Sequence, residues 1–304
     1  MILVTGATGT VGREVVRLLG ADVGVRVMAR DPARVRGASE TAEIVAGDYR
    51  DPRSLGRALA GVRTAFLVTG DVAGGDDVRF IRAAQMAGVG RVVKLSAAAV
   101  VDRCADDLVT RWQRAGEEVL CASGLQWTVL RPRAFMSNTL SWARSVRCEG
   151  VVRALYGSSV NACVDPRDVA EVAVRVLTED GHAGGAYTLT GPEALSAAQQ
   201  VDQLGRLLGV PLRLEELSPG QARLALGRRY PVPVVEALLQ SAERQRAGAK
   251  AQVQDTVRAV TGRPARTFRV WAKDHLAAFV PGAADEAGQS PRRAGHGTGR
   301  WLTG

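Results

Sequence analysis

The sequence predicts a doubly wound parallel α/β sheet followed by a smaller C-terminal α/β domain, and three observations carry that expectation. An apolar run at residues 1–5 enters a glycine cluster, TGATGTVG, and leaves it as a pattern of helical period. Short β-branched runs then alternate with helical stretches, which implies βαβ units and a sheet covered on both faces. Finally, 304 residues at 46% hydrophobic are enough to bury a large core.

The strand runs fall at 1–5, 24–29, 42–46, 64–69, 91–96 and 126–130, with helices at 11–19, 54–60, 76–87 and 106–123 between them. Asp51-Pro52 opens one helical stretch as N-cap and first residue. Beyond Arg131 the rhythm loosens. Helices are expected at 139–147, 166–177, 197–208, 234–246 and 268–279, the last bringing Trp271 and Phe279 to core spacing, with a strand at 186–189. Residues 1–150 are therefore assigned to the sheet domain and 151–280 mainly to a substrate domain, with the 165–178 helix and the 186–189 strand as candidates for returning to the sheet. Residues 281–304 are rich in Gly, Ala and Arg with almost no aliphatic side chains, and are expected to form a disordered tail.

Composition excludes several function classes. The net charge of +9 comes from arginines spread through every segment, and the only lysines are Lys94, Lys250 and Lys273. No block of like charge marks a nucleic-acid surface. No apolar run is long enough to span a membrane, and the N-terminus lacks the pattern of a secretory signal. Cys104, Cys121, Cys148 and Cys163 form no CxxC pair, which argues against a metal site or disulfide framework and for a reducing cytoplasm. These cysteines are expected to be small core residues.

Gly6, Gly9 and Gly12 follow a strand and open a helix, the arrangement that lets backbone approach a pyrophosphate and aims helix N–H groups at its charge. Thr8 and Thr10 add hydroxyls at the same rim. The second strand ends at Arg30 rather than at the acid that would bind a ribose 2′-hydroxyl, so NADPH is favoured over NADH. Asp48, after the third strand, reads equally as an adenine acceptor or a turn residue. Val68, Thr69 and Gly70 end the fourth strand and let the backbone pass beneath an adenosine. Ser96 ends the fifth, at the edge where open α/β sheets hold ligands.

Together with VRVMARDP, VVKLSA, RWQRAGEEVLCASGLQWTVLRPRAFMSN, DPRDVAEVAVRVL and YTLTGPEALS, the glycine motif resembles the NmrA-like, atypical short-chain dehydrogenase/reductase family. The resemblance covers residues 1 to about 280 and implies a Rossmann domain with NAD(P)H in the cleft beneath a substrate domain. It adds Val11 to the pyrophosphate site and places Pro132, Ala134 and Phe135 beside the nicotinamide. Ordinary members of the superfamily carry a Tyr-x-x-x-Lys proton-donor pair on the helix after the fifth strand. Here neither Tyr nor Lys occurs between Ser96 and Arg131, and Gln113 stands where NmrA-like relatives often have His or Lys.

Ser96 and Gln113 are the candidate catalytic residues, as donors to a developing oxyanion. Trp112, Arg133, Met136, Asn138, Trp142 and Tyr156 are candidates for a pocket that takes a small aromatic substrate. Of Arg131 and Arg133, one is expected to form a structural ion pair and the other to face an anionic or phenolic substrate. The expected activity is NADPH-dependent reduction of an aromatic ketone or quinone of polyketide type, by a cytoplasmic monomer or homodimer without metal. The alternative is an NADP(H) sensor that signals redox state to a protein partner.

Overall fold

Strand β1 (Ile2–Val4) is three residues long and buried on both faces, as expected of a strand at the centre of a covered sheet. The computed structural model describes residues 1–72 and 75–280, so the tail expected at 281–304 lies outside the described residues. After β1 come α1 (Thr10–Leu18), β2 (Val25–Ala29), β3 (Glu43–Ala46), α2 (Pro52–Leu59), β4 (Thr64–Leu67), α3 (Asp76–Met86), β5 (Arg91–Leu95), α4 (Leu108–Cys121) and β6 (Gln126–Pro132). A 3-10 segment, Met136–Trp142, leads to α5 (Ala143–Glu149) and β7 (Val151–Leu155). The rest comprises α6 (Pro166–Thr178), β8 (Gly185–Leu189), α7 (Ala197–Leu208), β9 (Arg213–Leu217), α8 (Pro219–Gly227), α9 (Val232–Arg246), α10 (Thr256–Thr261) and α11 (Phe268–Asp274).

Seven parallel strands form one sheet in the order β3-β2-β1-β4-β5-β6-β8. Alternate residues of β1 serve opposite faces. Ile2 and Val4 join Val15 and Val16 of α1 with Val172 and Val176 of α6, whereas Leu3 joins Leu55, Leu59, Phe80 and Leu120 from α2, α3 and α4. From β1 the chain runs outward through β2 to β3, then crosses back to β4 on the other side of β1, which puts a topological switch point at the carboxyl ends of β1 and β4.

The return of the later chain is now explicit. Helix α6 packs on α1, and β8 pairs with β6 as the seventh strand. Two strands were not foreseen: β7 and β9 make a separate parallel pair, from Val151↔Arg213 to Leu155↔Leu217. Their sequences, VVRAL and RLEEL, lack strand-like alternation and gain their ladder only from each other, so no local signal marked them. Helices α8 and α10 were likewise missed. The helix expected at 139–147 begins instead as the 3-10 segment, and the one at 268–279 breaks after Asp274 before a 3-10 turn at Leu276–Phe279. Trp271 and Phe279 are buried, in two different apolar clusters.

The cysteines correct the sequence reading. Cys104, Cys121 and Cys148 are exposed and Cys163 is only partly buried. All four sit in loops or at helix ends, where apolar size does not decide burial.

One polar group lies inside the α3–α4 layer. Lys94 on β5 is 0% exposed and its Nζ donates to Asp77 Oδ1 at 2.8 Å, an oxygen that also accepts from Thr69 Oγ1 at 3.1 Å. Gly116 of α4 makes room for it, because a Cβ there would stand 2.9 Å from Lys94 Cε and 3.0 Å from the Asp77 carboxylate. Removing one partner strands the other charge out of water. Lys94→Met should therefore cost about 3–5 kcal/mol in urea unfolding, and adding Asp77→Asn should recover most of the loss.

Candidate cofactor and active site

The carboxyl end of β1 is latched to β4 by one side chain. Thr5 Oγ1 donates to the Phe66 carbonyl and accepts from the Val68 N–H, each at 2.9 Å. The chain then turns at Gly6, whose φ of +66° favours glycine and whose absent Cβ would lie 2.7 Å from Val68 Cβ. Gly12, in the first turns of α1, packs so close that a Cβ would stand 2.3 Å from the Gly6 carbonyl oxygen. The N-cap, Gly9, supplies no side-chain cap and no acid occupies the first turn, so the positive end of the helix dipole is not offset locally.

This end of α1 opens on a cleft of about 710 Å³ lined by Gly6, Thr8, Gly9, Thr10, Arg30, Asp48, Val68, Thr69 and Gly70. A smaller recess below it is lined by Val11, Gly12, Leu95 and Phe135. Pro132 and Ala134 line neither. Pro132 is buried as the last residue of β6, and the Ala134 carbonyl accepts from the Val164 N–H.

The cleft also collects residues the sequence did not single out. Arg13 and Arg34 line it together with Arg30, and Arg229 reaches the cleft from the connection between α8 and α9. Asp31, the first acid after β2, is occupied as a cap, its side chain accepting from Ala33 N at 3.2 Å. Asp48 lines the cleft while its Oδ1 accepts from Arg50 N at 2.8 Å, so the turn and the cleft share this residue. Arg34 was recognisable as a cation near the strand end. Arg229 carried no such signal, since only tertiary folding brings it to the sheet. A glycine-lined cradle below a helix N-terminus, with guanidinium groups among its lining residues, fits the phosphates of a dinucleotide.

Behind the cleft, Ser96 Oγ donates to Glu117 Oε1 at 2.5 Å. Arg131 grips the same carboxylate through Nε and Nη2, the latter 2.5 Å from Oε2. Arg131 is thus the structural ion pair of the two arginines flanking Pro132. Gln113 lies one turn before Glu117 on the buried face of α4, the same spacing as a Tyr-x-x-x-Lys pair. Helix α4 crosses back from β5 to β6, so its N-terminal half lies toward the carboxyl edge of the sheet. Gln113 Oε1 and Trp112 Nε1 are both buried without a hydrogen-bond partner among the described residues.

The six pocket candidates are not gathered together, and neither recess is lined by any of them. Met136 packs with Phe268 and Trp271, and Trp142 against the cluster of Val146 and Phe279. Tyr156 donates its hydroxyl to Glu243, and Arg246 lies 5.0 Å from its ring. Asn138 is exposed. Trp112 has Lys94 Nζ 5.7 Å from its ring, and Arg133 is half-buried with Nε unpartnered.

The contact at Gly12 sets a testable limit on the cradle. A Cβ against a backbone oxygen cannot be relieved by a rotamer, so Gly12→Ala should cost about 1–3 kcal/mol of stability. NADPH affinity, followed by nicotinamide fluorescence, should fall at least about tenfold. Gly20→Ala, which would meet nothing within 4 Å, should change neither.

A family model described as NAD(P)H-binding matches residues 6–180. The chain is 57% identical over 282 residues to the (4-alkanoyl-5-oxo-2,5-dihydrofuran-3-yl)methyl phosphate reductase of Streptomyces griseus, covering 92% of this chain and 100% of that protein. It is 39% identical to the NAD(P)H azoreductase of Xenophilus azovorans, covering 92% and 99%. Among solved structures it resembles the NADPH-dependent quinone oxidoreductase of Escherichia coli in complex with NADPH, with a TM-score of 0.80 and 27% identity over 91% of this chain and 99% of that one. The chain belongs to the NAD(P)H-binding family, among its atypical short-chain, NmrA-like members, and is an NAD(P)H-dependent reductase.

Proposed function

We propose that this protein uses NADPH to reduce the conjugated double bond of a small 2,5-dihydrofuranone bearing an alkanoyl group and a methyl phosphate. The observation that carries this reading is the 57% identity, spanning the whole of the relative, to a reductase named for that substrate. Bound NADPH supplies the hydride. In such a ring the carbon bearing the phosphomethyl arm is the electrophile, because its double bond is conjugated with two carbonyl groups. Hydride at that carbon moves the π electrons onto the carbonyl oxygens, and solvent protonates the neighbouring carbon.

The missing Tyr/Lys pair supports this choice of acceptor. A simple ketone yields an alkoxide that must be protonated as it forms, whereas a doubly activated alkene yields a delocalised enolate that water can protonate. What such a reaction asks of the protein is a donor for the developing negative charge. We assign that role to the Gln113 amide, which donates without being an acid. Ser96, whose proton goes to Glu117, takes the supporting role of fixing the end of β5. Quinones and azo compounds also accept hydride into delocalised anions, and the azoreductase relative favours them as a second substrate class.

Arg30, with Arg13 and Arg34 lining the same cleft, is proposed to hold the 2′-phosphate and so to set a preference for NADPH. Among the described residues no helix is long and apolar enough to cross a membrane, and a cytoplasmic location is proposed.

Steady-state oxidation of NADPH against a phosphorylated alkanoyl-dihydrofuranone, a quinone panel and aromatic ketones tests the acceptor. Activity should be highest on the first and absent on simple ketones. Tight NADPH binding with no turnover on any acceptor would support a redox sensor instead. Gln113→Ala should lower kcat about 100-fold with the NADPH Kd unchanged, and Ser96→Ala should lower it about tenfold or less. Equal kcat for wild type and Gln113→Ala would refute the oxyanion role. Arg30→Ala should cut the NADPH-over-NADH preference by about tenfold or more.

A further inference from the structure

Arg133 and Lys250 lie 117 residues apart in sequence, yet both flank the 161–164 segment that runs past the carboxyl end of β6. Arg133 N donates to the Leu189 carbonyl at 2.8 Å, which continues the pairing of β6 with β8. Beside it runs the 161–164 segment, where Val164 N donates to the Ala134 carbonyl and Ala162 N donates to the Lys250 carbonyl. Cys163, between them, faces the charges of both Lys250 and Arg133.

Among the described residues neither cation is ion-paired with a carboxylate. The carboxylates whose fields reach them are Asp102 and Asp107, and Arg244 takes both, at 3.5 Å and 2.6 Å. Lys250 Nζ donates only to a neutral hydroxyl, Ser241 Oγ, at 2.7 Å. Arg133 forms no side-chain hydrogen bond or ion pair among the described residues, and its Nε is buried without a partner. Cys163 cannot supply the missing anion, because burial pushes its thiol up to about 11. Half-buried charges are normally paired, since desolvation is otherwise uncompensated.

We infer that Arg133 and Lys250 form an anion subsite that receives the phosphate monoester of the substrate. The inference deepens the dihydrofuranone reading and rests on it for the identity of the anion. Arg133 follows β6 two residues before Phe135, which lines the smaller recess at the N-terminus of α1, so a phosphate held there would anchor the substrate near the cofactor cradle. Its guanidinium offers a fork of donors to phosphate oxygens, and Lys250 adds a point charge.

Methyl phosphate titrated calorimetrically into the full chain saturated with NADP⁺ tests this, because the cofactor's own phosphates then fill their sites. Wild type should bind, and Arg133→Gln and Lys250→Gln should each weaken binding about 10- to 100-fold. Lys250→Arg should retain it, which separates lost charge from misfolding. Arg206→Gln, at an exposed helix pair, should leave it unchanged. Burial, with Arg244 and Arg133 nearby and Cys163 and Asp107 opposing, pulls the Lys250 ammonium down to about 8. Affinity should therefore fall between about pH 7 and 9 as Lys250 loses its proton, and Lys250→Arg should abolish that fall. Methyl phosphate that fails to bind wild type, or binds both Gln variants equally well, overturns the subsite.

A second arm separates the two readings by comparing the phosphorylated acceptor with its free alcohol. If both Gln variants reduce the phosphorylated acceptor with wild-type KM, the subsite falls and the reductase stands. If methyl phosphate binding depends on both residues but neither acceptor is reduced, the subsite stands and the dihydrofuranone reading falls.

Discussion

The cofactor end of this molecule depends on a backbone contact that only a hydrogen atom permits. Helix α1 meets the turn after β1 so closely that any side chain at Gly12 would collide with the Gly6 carbonyl. That approach fixes where the helix N-terminus points, and the turn is held from the other side by Thr5, which bridges β1 and β4 through both its donor and its acceptor. Val68 closes the arrangement by filling the space where a Gly6 side chain would be. The switch point of the sheet opens at the same place, so sheet order, helix direction and cleft share one structural cause.

Around that rigid end the molecule distributes its buried charge in three ways. Lys94 and Asp77 neutralise each other between β5 and α3, with both side chains buried. Glu117 collects Ser96 and Arg131, which fixes the ends of β5 and β6 relative to α4. Among the described residues, Arg133 and Lys250 have no carboxylate of their own. In the first two groups each charge meets its opposite within the chain and serves as scaffold, whereas the third is proposed to be completed by an external anion. The helix that usually carries an acid/base pair here carries an amide and a carboxylate, and that carboxylate is already paired. That arrangement is why an acceptor whose reduced form is a stabilised anion is proposed.

Local sequence determined the cofactor half of the protein. Val-rich runs such as VRVMA and RVVKL can only be satisfied as buried strands, and the glycine spacing at 6, 9 and 12 demands the turn that forms. That Arg30, Asp48 and the 68–70 segment reach the cleft was also legible, because each follows a strand within two residues and the carboxyl edge of a parallel sheet is a single place. What tertiary structure alone decided were matters of partnership. Arg131 and Arg133 flank one proline and look alike in sequence, and only the position of Glu117 on α4 makes one a scaffold residue. The pair β7–β9 exists because two unremarkable segments meet, and Met136 and Trp142 became core residues because α11 and the Leu276–Phe279 turn fold back over them. Arg229 at the cleft and Lys250 beside Arg133 have the same origin. Backbone demands are written locally, in φ angles and in periods of apolar residues. Charge pairing depends on which side chains arrive at one point, and that is settled only when distant parts of the chain meet.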